Sequence, residues 1–452
     1  MEYNHLALIF TACAVGIMTF YGILKRVNGW YYAIKFCSKK YNIPPGDMGW
    51  PLIGNTLHYF KSSLSGDANS FLSYFATRFG PGGMYRGYIF GKPSIIITKP
   101  EITRKILMDE EYLDRGAPDY IKRLVGLSTS IEEDKRIRRL TAPVKNQGFL
   151  SVYFDYIDRA VRTTFEKYVT MEEPFEFLSN MHKLTFDVFM RIFTGDEVEQ
   201  ELFDKIFEKI TCLIRGVHNF PINIRGFPYY KAIKARLLLD TNQDDYEGKR
   251  LSDEKTIEVL LLFGFGGFEP VSLMAIKTIM NLEKHPHFLE KAKKEQEDIV
   301  KRRPSSDVGL NFDEIKQMTF LSQVITETLR LASDQTVFLR NTKSSFNING
   351  YTIPKGWRFF AVLWNIHMDP DIYVKPEEFN PSRWDDMKIK PGHFLPFSMG
   401  PRVCPGSNFA RLQILVILHY YLLHYRVEKV NPEVKTYPAE NCLVRMKKRN
   451  CN

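Results

Sequence analysis

The first signal along the chain is an uncharged run of nineteen residues from Leu6 to Leu24. As a helix it would be about 28 Å long, enough to cross the hydrocarbon of a bilayer. Glu2 precedes it, and Lys25, Arg26, Lys35, Lys39 and Lys40 follow it. That asymmetry orients the chain with everything after the run on the cytosolic side. Trp30, Tyr31 and Tyr32 fit an interfacial belt. A cleaved signal peptide would carry its positive charge ahead of the apolar run and a small-residue site behind it; the reading here is an uncleaved anchor, residues 1–42. Next comes Ile43-Pro44-Pro45-Gly46-Asp47-Met48-Gly49-Trp50-Pro51. Its prolines predict an extended, stiff stretch, either an orienting hinge or an ordinary interdomain loop.

Downstream the pattern alternates between strand and helix periods. Met84 to Tyr88 and Ser94 to Thr98, joined through Phe90-Gly91-Lys92, predict a β-hairpin. Pro100 and Glu101 then open a helix. Residues 151–218 are mostly amphipathic helix, with Phe177, Leu178, Leu184, Phe186, Val188, Phe189 and Ile192 at helical spacing. Residues 220–230 form an apolar loop, read either as core or as a lid that dips into a bilayer. Lys231 to Arg236 reads as the middle of one helix, and Leu237 to Asp245, directly after it, as the end of another. Ser252 is a good N-cap for a helix running to about Glu283, yet Gly264, Gly266, Gly267 and Pro270 interrupt its middle. From Asn408 the spacing of Phe409, Leu412, Leu415, Val416, Leu418, Tyr421 and Leu422 is helical again.

A chain of 452 residues, 44% hydrophobic, buries a large core as one big domain or two. The net charge of +10 comes without any basic run interleaved with stacking aromatics, so no nucleic-acid module is present. A basic surface facing anionic lipid or an acidic redox partner accounts for it better. The six cysteines show neither paired metal spacing nor a disulfide framework, which suits a reducing compartment.

The chemistry concentrates in Phe397-Ser398-Met399-Gly400-Pro401-Arg402-Val403-Cys404-Pro405-Gly406, an F-x-x-G-x-R-x-C-x-G pattern. Taken alone, Cys404 is either a small buried apolar residue or a metal ligand. As a thiolate on iron it needs shielding from water and loss of its proton. Gly400 then permits a tight turn, and Gly406 a close approach to a flat macrocycle. Arg402 offers a cation to an acidic group on the cofactor edge, and Phe397 walls off the sulfur. The helix that follows places its positive dipole end beside the anion. Glu327 and Arg330, at i and i+3 on a helix, share a face, which for a lone pair means a surface ion pair. The run from Glu132 to Leu140 reads by itself as a solvated face.

These residues resemble the cysteine haem-binding signature of the cytochrome P-450 superfamily at every fixed position; Gln413 departs from the Glu common just downstream. The resemblance implies a mostly α fold with small β-sheets, residues 43–452, preceded by one N-terminal transmembrane helix. It implies haem b with Cys404 as axial thiolate, and Arg138, with Lys135, and Arg340 as further propionate ligands. Gly267 and Glu269 fall in the oxygen-binding bulge, with Pro270 where a hydroxyl residue belongs. Glu327, Arg330 and Arg383 match a buried network bracing the haem loop, and Thr336 to Leu339 match the substrate pocket. Against the family pattern several tens of residues are absent after Arg236. The stretches from Met48 to Asn55, Lys135 to Pro143, Gly350 to Trp357 and Phe379 to Trp384 look most like plant ent-kaurenoic acid oxidases and their triterpenoid-oxidising relatives. The implied activity is monooxygenation of a polycyclic terpenoid, in gibberellin, other diterpenoid or triterpenoid metabolism. Electrons would come from an NADPH-dependent reductase. The implied location is the endoplasmic reticulum membrane, single-pass, with the plastid envelope as the other site. Two alternatives stay open: a haem-thiolate isomerase or lyase needing no O2, and an inactive truncated splice product.

Overall fold

The structure is a computed structural model, and it describes the chain apart from residues 1, 37–40, 65–67, 126–137, 140–141, 195–199, 220, 242–265, 304–308, 334–335, 432–441 and 450–452. Of residues 2–10, 63–64, 68–69, 193–194 and 237–241 the backbone alone is described. In chain order the elements begin α1 (Glu2–Lys35), α2 (Thr56–Leu64), α3 (Ala68–Phe79), β1 (Met84–Ile89), β2 (Lys92–Ile97), α4 (Pro100–Met108), β3 (Leu113–Arg115) and α5 (Asp119–Val125). Then come α6 (Gln147–Val169), β4 (Phe175–Glu176), α7 (Phe177–Thr194), α8 (Gln200–Val217), α9 (Pro228–Thr241), α10 (Glu269–Lys284), α11 (Pro286–Lys301), α12 (Phe312–Ile315) and α13 (Thr319–Leu331). The last are β5 (Val337–Thr342), β6 (Phe346–Ile348), β7 (Tyr351–Ile353), β8 (Arg358–Val362), α14 (Leu363–His367), α15 (Ser407–His424), β9 (Tyr425–Lys429) and β10 (Leu443–Lys448). The chain divides into two units: Met1–Pro118, Ser333–Glu377 and Ile389–Val403 form one, and Asp119–Ala332, Glu378–Lys388 and Cys404–Asn452 the other.

The first unit is built on a five-stranded sheet in the order β1-β2-β8-β5-β3. The expected hairpin is its edge: β1 and β2 pair antiparallel with Met84 opposite Ile97. Phe90 and Gly91, at φ 50 and 74, make the turn, the left-handed pair that a two-residue hairpin loop requires. The parallel pairing of β2 with β8 joins segments far apart in the chain. Ile95 and Ile97 belong to one apolar cluster, with Trp357, Phe359 and Ala361; Ile96 and Phe360 belong to another, with Phe71 and Phe75. Both faces are covered, which is why Ile95-Ile96-Ile97 is an unbroken apolar run rather than an alternating one. Pro100 opens α4 as expected.

Helix α1 continues past Leu24 without a break to Lys35. Its last turn packs on the sheet: the rings of Tyr32 and Phe36 lie 6.1 and 5.7 Å from that of Trp357. Of the three residues expected at a membrane interface, Trp30 and Tyr31 are exposed, while Tyr32 packs against the protein core. Val15, Ile17, Met18, Phe20 and Ile23 are exposed. Among the described residues no helix is long and apolar enough to cross a membrane; the side chains of Leu6 to Phe10 lie outside them. The proline stretch is pinned rather than loose. Arg86 N–H donates to the Pro45 carbonyl at 2.9 Å, and an added Cβ on Gly46 would lie 2.1 Å from the Arg86 carbonyl oxygen.

The second unit is helical, with the small sheet β4-β10-β9 at its margin. Helix α15 is buried continuously from Leu412 to Leu422, so apolar residues occupy all its sides. Helix α10 packs against both α7 and α15. Its end at Lys284 matches the expected one; the N-cap expected at Ser252 lies outside the described residues. Helix α9 runs unbroken through Arg236 and Leu237, where the sequence reads as the junction of two helices. The two partial helical patterns fuse because neither contains a breaker at the join. The loop before α9 is not core: Ile222, Ile224 and Phe227 are all exposed.

Removing residues 1–42 strips Tyr32 and Phe36 from Trp357. Losing about 100 Å² of apolar cover costs about 2–3 kcal/mol, and the thermal unfolding midpoint should fall by a few degrees. An unchanged midpoint would show that α1 adds nothing to the sheet's stability.

Candidate cofactor and active site

Cys404 lies three residues before the first residue of α15, with Gly406 as N-cap. Burial pushes its thiol up, while the Gly406 N–H and the charge of Lys145 pull it down. The net direction is upward, so the chain's own groups do not suffice to hold a thiolate; a bound metal would remove the proton. Asn408 donates to the Lys145 carbonyl at 3.2 Å and ties the start of α15 to the turn Ala142–Lys145. A Cβ built on Gly406 meets nothing within 4 Å, as an approach to a flat group requires.

The glycine- and proline-rich stretch breaks the helix as expected. Gly266 and Gly267 are helical, Phe268 is a turn, and α10 starts at Glu269. The Phe268 carbonyl accepts from the Thr185 hydroxyl at 3.1 Å and from Ser272 N–H at 3.0 Å. A Cβ at Gly267 would meet the Phe189 ring at 2.6 Å, so this glycine serves packing against α7. At Gly266 a Cβ meets nothing within 4 Å among the described residues. Burial pushes the Glu269 carboxyl up to about 7. His218, just beyond α8, faces it with Nδ1 3.6 Å from Oε1. The sequence reading missed His218 because only tertiary packing joins it to Glu269.

Glu327, Arg330 and Arg383 come together as expected. Glu327 and Arg330 are fully buried and bridge through two contacts of 2.8 and 3.0 Å, with Arg383 Nε 2.9 Å from the same carboxylate. Asn380 N–H and Trp384 Nε1 also donate to Glu327, at 3.1 and 3.0 Å. Both arginines reach the Glu378 carbonyl, at 3.3 and 3.0 Å. Every lone pair of the carboxylate is thus used, the condition for burying an ion pair without a large penalty.

In the first unit, Gly400 sits at φ +73, and a Cβ there would meet the Leu107 carbonyl at 2.8 Å; only glycine fits. Phe397 is partly buried on the same loop. Arg402 is held by Glu110 and Asp114 at 3.1 and 3.3 Å, two carboxylates the sequence reading did not assign to it. Arg340, on β5, is buried beside this pair. Desolvation first, then the charges of Arg402 and Arg115, push it down to about 10. Its Nη1 donates to the Leu339 carbonyl at 2.9 Å, while its buried Nε has no hydrogen-bond partner. Three arginines face two carboxylates here, an excess of one cation that suits an acidic group.

Arg138 is partly buried on a short helical piece, and Lys135 lies outside the described residues. Gln413 is buried, and neither amide atom finds a partner among the described residues. The residues present fit haem: a half-buried thiol short of negative stabilisation, with open space at Gly406, in the helical unit, and a cation excess at Arg340 in the sheet unit. In the helical unit Cys404 would be the ligand, with Gly406 and Arg138 available to the same group; in the sheet unit, taken by itself, Arg340, Arg402, Gly400 and Phe397 suit an acidic group.

Glu327→Gln leaves two buried guanidinium groups short of one charge and should cost about 3–5 kcal/mol. Trp384→Phe removes one donor to the carboxylate and should cost about 1–3 kcal/mol. Urea unfolding checks the order, and equal costs would contradict it. Glu269 takes up a proton on folding between its ordinary range and about 7. The stability this contributes is complete below the unfolded value and is lost as pH rises toward about 7. Glu269→Gln should flatten that part of the stability profile; an identical slope would contradict the burial of the carboxyl.

The family Cytochrome P450 matches residues 229–450. The chain is 38% identical over 477 residues to Ent-kaurenoic acid oxidase 2 of Arabidopsis thaliana, covering 97% of each chain. It is 38% identical over 470 residues to Beta-amyrin 11-oxidase of Glycyrrhiza uralensis, covering 95% of each. It is 36% identical over 489 residues to 7,8-epoxymelianol synthase CYP88A154 of Ailanthus altissima, covering 99% of this chain and 98% of that one. Since 99% of 452 residues fill 489 aligned positions, roughly forty of those positions have no residue here. The solved structure of retinoic acid bound cyanobacterial CYP120A1 superposes with a TM-score of 0.74 at 23% identity, over 90% of this chain and 100% of that one, a likeness of fold. The chain belongs to the cytochrome P450 family, a monooxygenase family whose haem is held by an axial cysteine thiolate.

Proposed function

We propose that this protein inserts one atom of O2 into a C–H bond of a polycyclic terpenoid, in the manner of an ent-kaurenoic acid oxidase, with Cys404 as the axial ligand. The observation that carries this is identity of 37–38% over nearly the whole chain with proteins named for ent-kaurenoic acid and beta-amyrin oxidation. The haem, when bound, supplies the iron at which O2 is reduced, with electrons from an NADPH-dependent reductase. The chain's own part is to hold the cofactor, position an apolar substrate and deliver protons. Glu269, with a carboxyl pushed up to about 7, carries a proton about half the time near neutral pH.

The reading extends to placement. Residues 6–24 would cross the endoplasmic reticulum membrane with the catalytic body on the cytosolic side. The exposed Ile222, Ile224 and Phe227 suit a loop resting on lipid. We place the missing forty or so residues after Arg236, where two helical patterns meet within α9. One observation favours a second reading, an isomerase or lyase needing no O2: Pro270 stands where a relay hydroxyl belongs. The nearby hydroxyls are engaged, Ser272 donating to the Glu269 carbonyl at 2.9 Å and Thr185 to that of Phe268.

Incubation with reductase, NADPH, O2 and ent-kaurenoic acid tests the proposal; the expected product carries one more oxygen atom. Conversion that persists without O2 and reductase would favour the second reading, and no conversion of any terpenoid acid or alcohol would oppose both. Pro270→Ser should raise product formed per NADPH consumed by about threefold, with substrate affinity unchanged. A ratio that stays level or falls would remove position 270 from proton delivery.

A further inference from the structure

Glu269 is the first residue of α10, and His218 follows the last residue of α8. Their side chains lie 3.6 Å apart, Nδ1 to Oε1. That is too long for a direct hydrogen bond and short enough to close by a small rotamer change or through one water. The two ends of the pair differ in access: the Glu269 side chain is 18% exposed and the His218 side chain 58%. One group therefore meets bulk water, and the other is turned into the protein beside the helix break.

A plain surface ion pair would hold both groups firmly charged. Here burial pushes the carboxyl up to about 7 and the imidazole down from its ordinary value. At 3.6 Å, with one group exposed and the other mostly buried, the two are placed to pass a proton rather than to trap it. The surrounding groups do not supply a competing donor. His182, on α7, packs edge-on against Phe268 at 5.7 Å and is pushed down to about 4, chiefly by burial and then by Arg215, so it is neutral. Thr185, also on α7, donates its hydroxyl to the Phe268 carbonyl. Arg215 on α8 and Lys231 on α9 pull the thiol of Cys212 downward against its burial.

We infer that His218 is the solvent-side relay that reprotonates Glu269 between turnovers. This rests on the reading of Glu269 as the proton-delivering acid. In the step, the Nδ1–H bond of the imidazolium breaks and an O–H bond forms on Oε1. The imidazole left neutral takes its next proton from water, so nothing but a proton and its charge moves. Glu269 has no other solvent-exposed partner among the described side chains within ion-pair distance, and Pro270 offers no hydroxyl path. His218 acts through Glu269 and is not itself placed on substrate.

The test uses the full-length holoenzyme and reads protonation apart from turnover. Infrared spectra followed against pH locate the carboxylic acid band that Glu269→Gln abolishes. In His218→Gln that band should titrate at higher pH, since the carboxylate has lost its imidazolium. By reciprocity, Glu269→Gln should lower the His218 titration midpoint seen by NMR by the same amount. His218→Gln should also lower product per NADPH about threefold and raise the solvent deuterium isotope effect, the deficit shrinking above pH about 7, where the imidazole is itself neutral. A band that titrates identically with and without His218, or unchanged coupling in His218→Gln where Glu269→Gln lowers it, overturns the relay. Unchanged coupling in Glu269→Gln overturns instead the role of the acid on which it rests.

Discussion

Charge taken out of water must be neutralised, and the structure follows from where the chain does this for itself and where it does not. At Glu327 the compensation is complete. Two arginines, an indole and a backbone N–H converge on one fully buried carboxylate, and the spare arginine nitrogens find the Glu378 carbonyl. Removing any of these partners leaves a buried charge exposed to a low dielectric, so the surrounding helix and turn are locked together. At Arg340 and Cys404 the compensation is incomplete. A buried guanidinium is pushed down beside two other arginines, and a half-buried thiol is pushed up with one backbone N–H and one lysine charge to help it. A dianionic cofactor edge and a metal centre are the groups that complete these two sites.

The same logic explains the broken helix. An uninterrupted helix would need neither Gly266 nor Pro270, yet the break at Phe268 brings Glu269 to a helix N-terminus beneath α8. Gly267 lets α10's approach run close against the Phe189 ring, and the Thr185 hydroxyl adds a second donor to the Phe268 carbonyl, which also accepts from Ser272 N–H. The turn is thereby supported from α7, and burial raises the carboxyl it positions to about 7.

What the sequence revealed and what it hid divide along the range of the interactions involved. The hairpin of β1 and β2, the start of α4, the cysteine loop before α15 and the Glu327–Arg330 pair were legible because each is written in neighbouring residues. Arg383 was legible through resemblance. The aromatic docking of α1 on Trp357, the pinning of Gly46 against Arg86, and the pairing of Arg402 with Glu110 and Asp114 were not, since each joins segments that only folding brings together. His218 carried no signal at all, being an ordinary residue at a helix end. Gly267 belongs by resemblance to the oxygen-binding bulge, and the structure adds that the Phe189 ring lies against it, a contact no local pattern announces. The join after Arg236 was read as a meeting of two helices, and the backbone treats it as one.

The central claim is that Cys404 is the axial thiolate, and one spectrum tests it directly. The dithionite-reduced holoprotein under carbon monoxide should show the strongly red-shifted Soret band of thiolate-ligated haem. Cys404→His should retain haem but place the band where imidazole-ligated haem proteins have it. A Cys404→His protein that keeps the red-shifted band would contradict the assignment and require another sulfur on the iron.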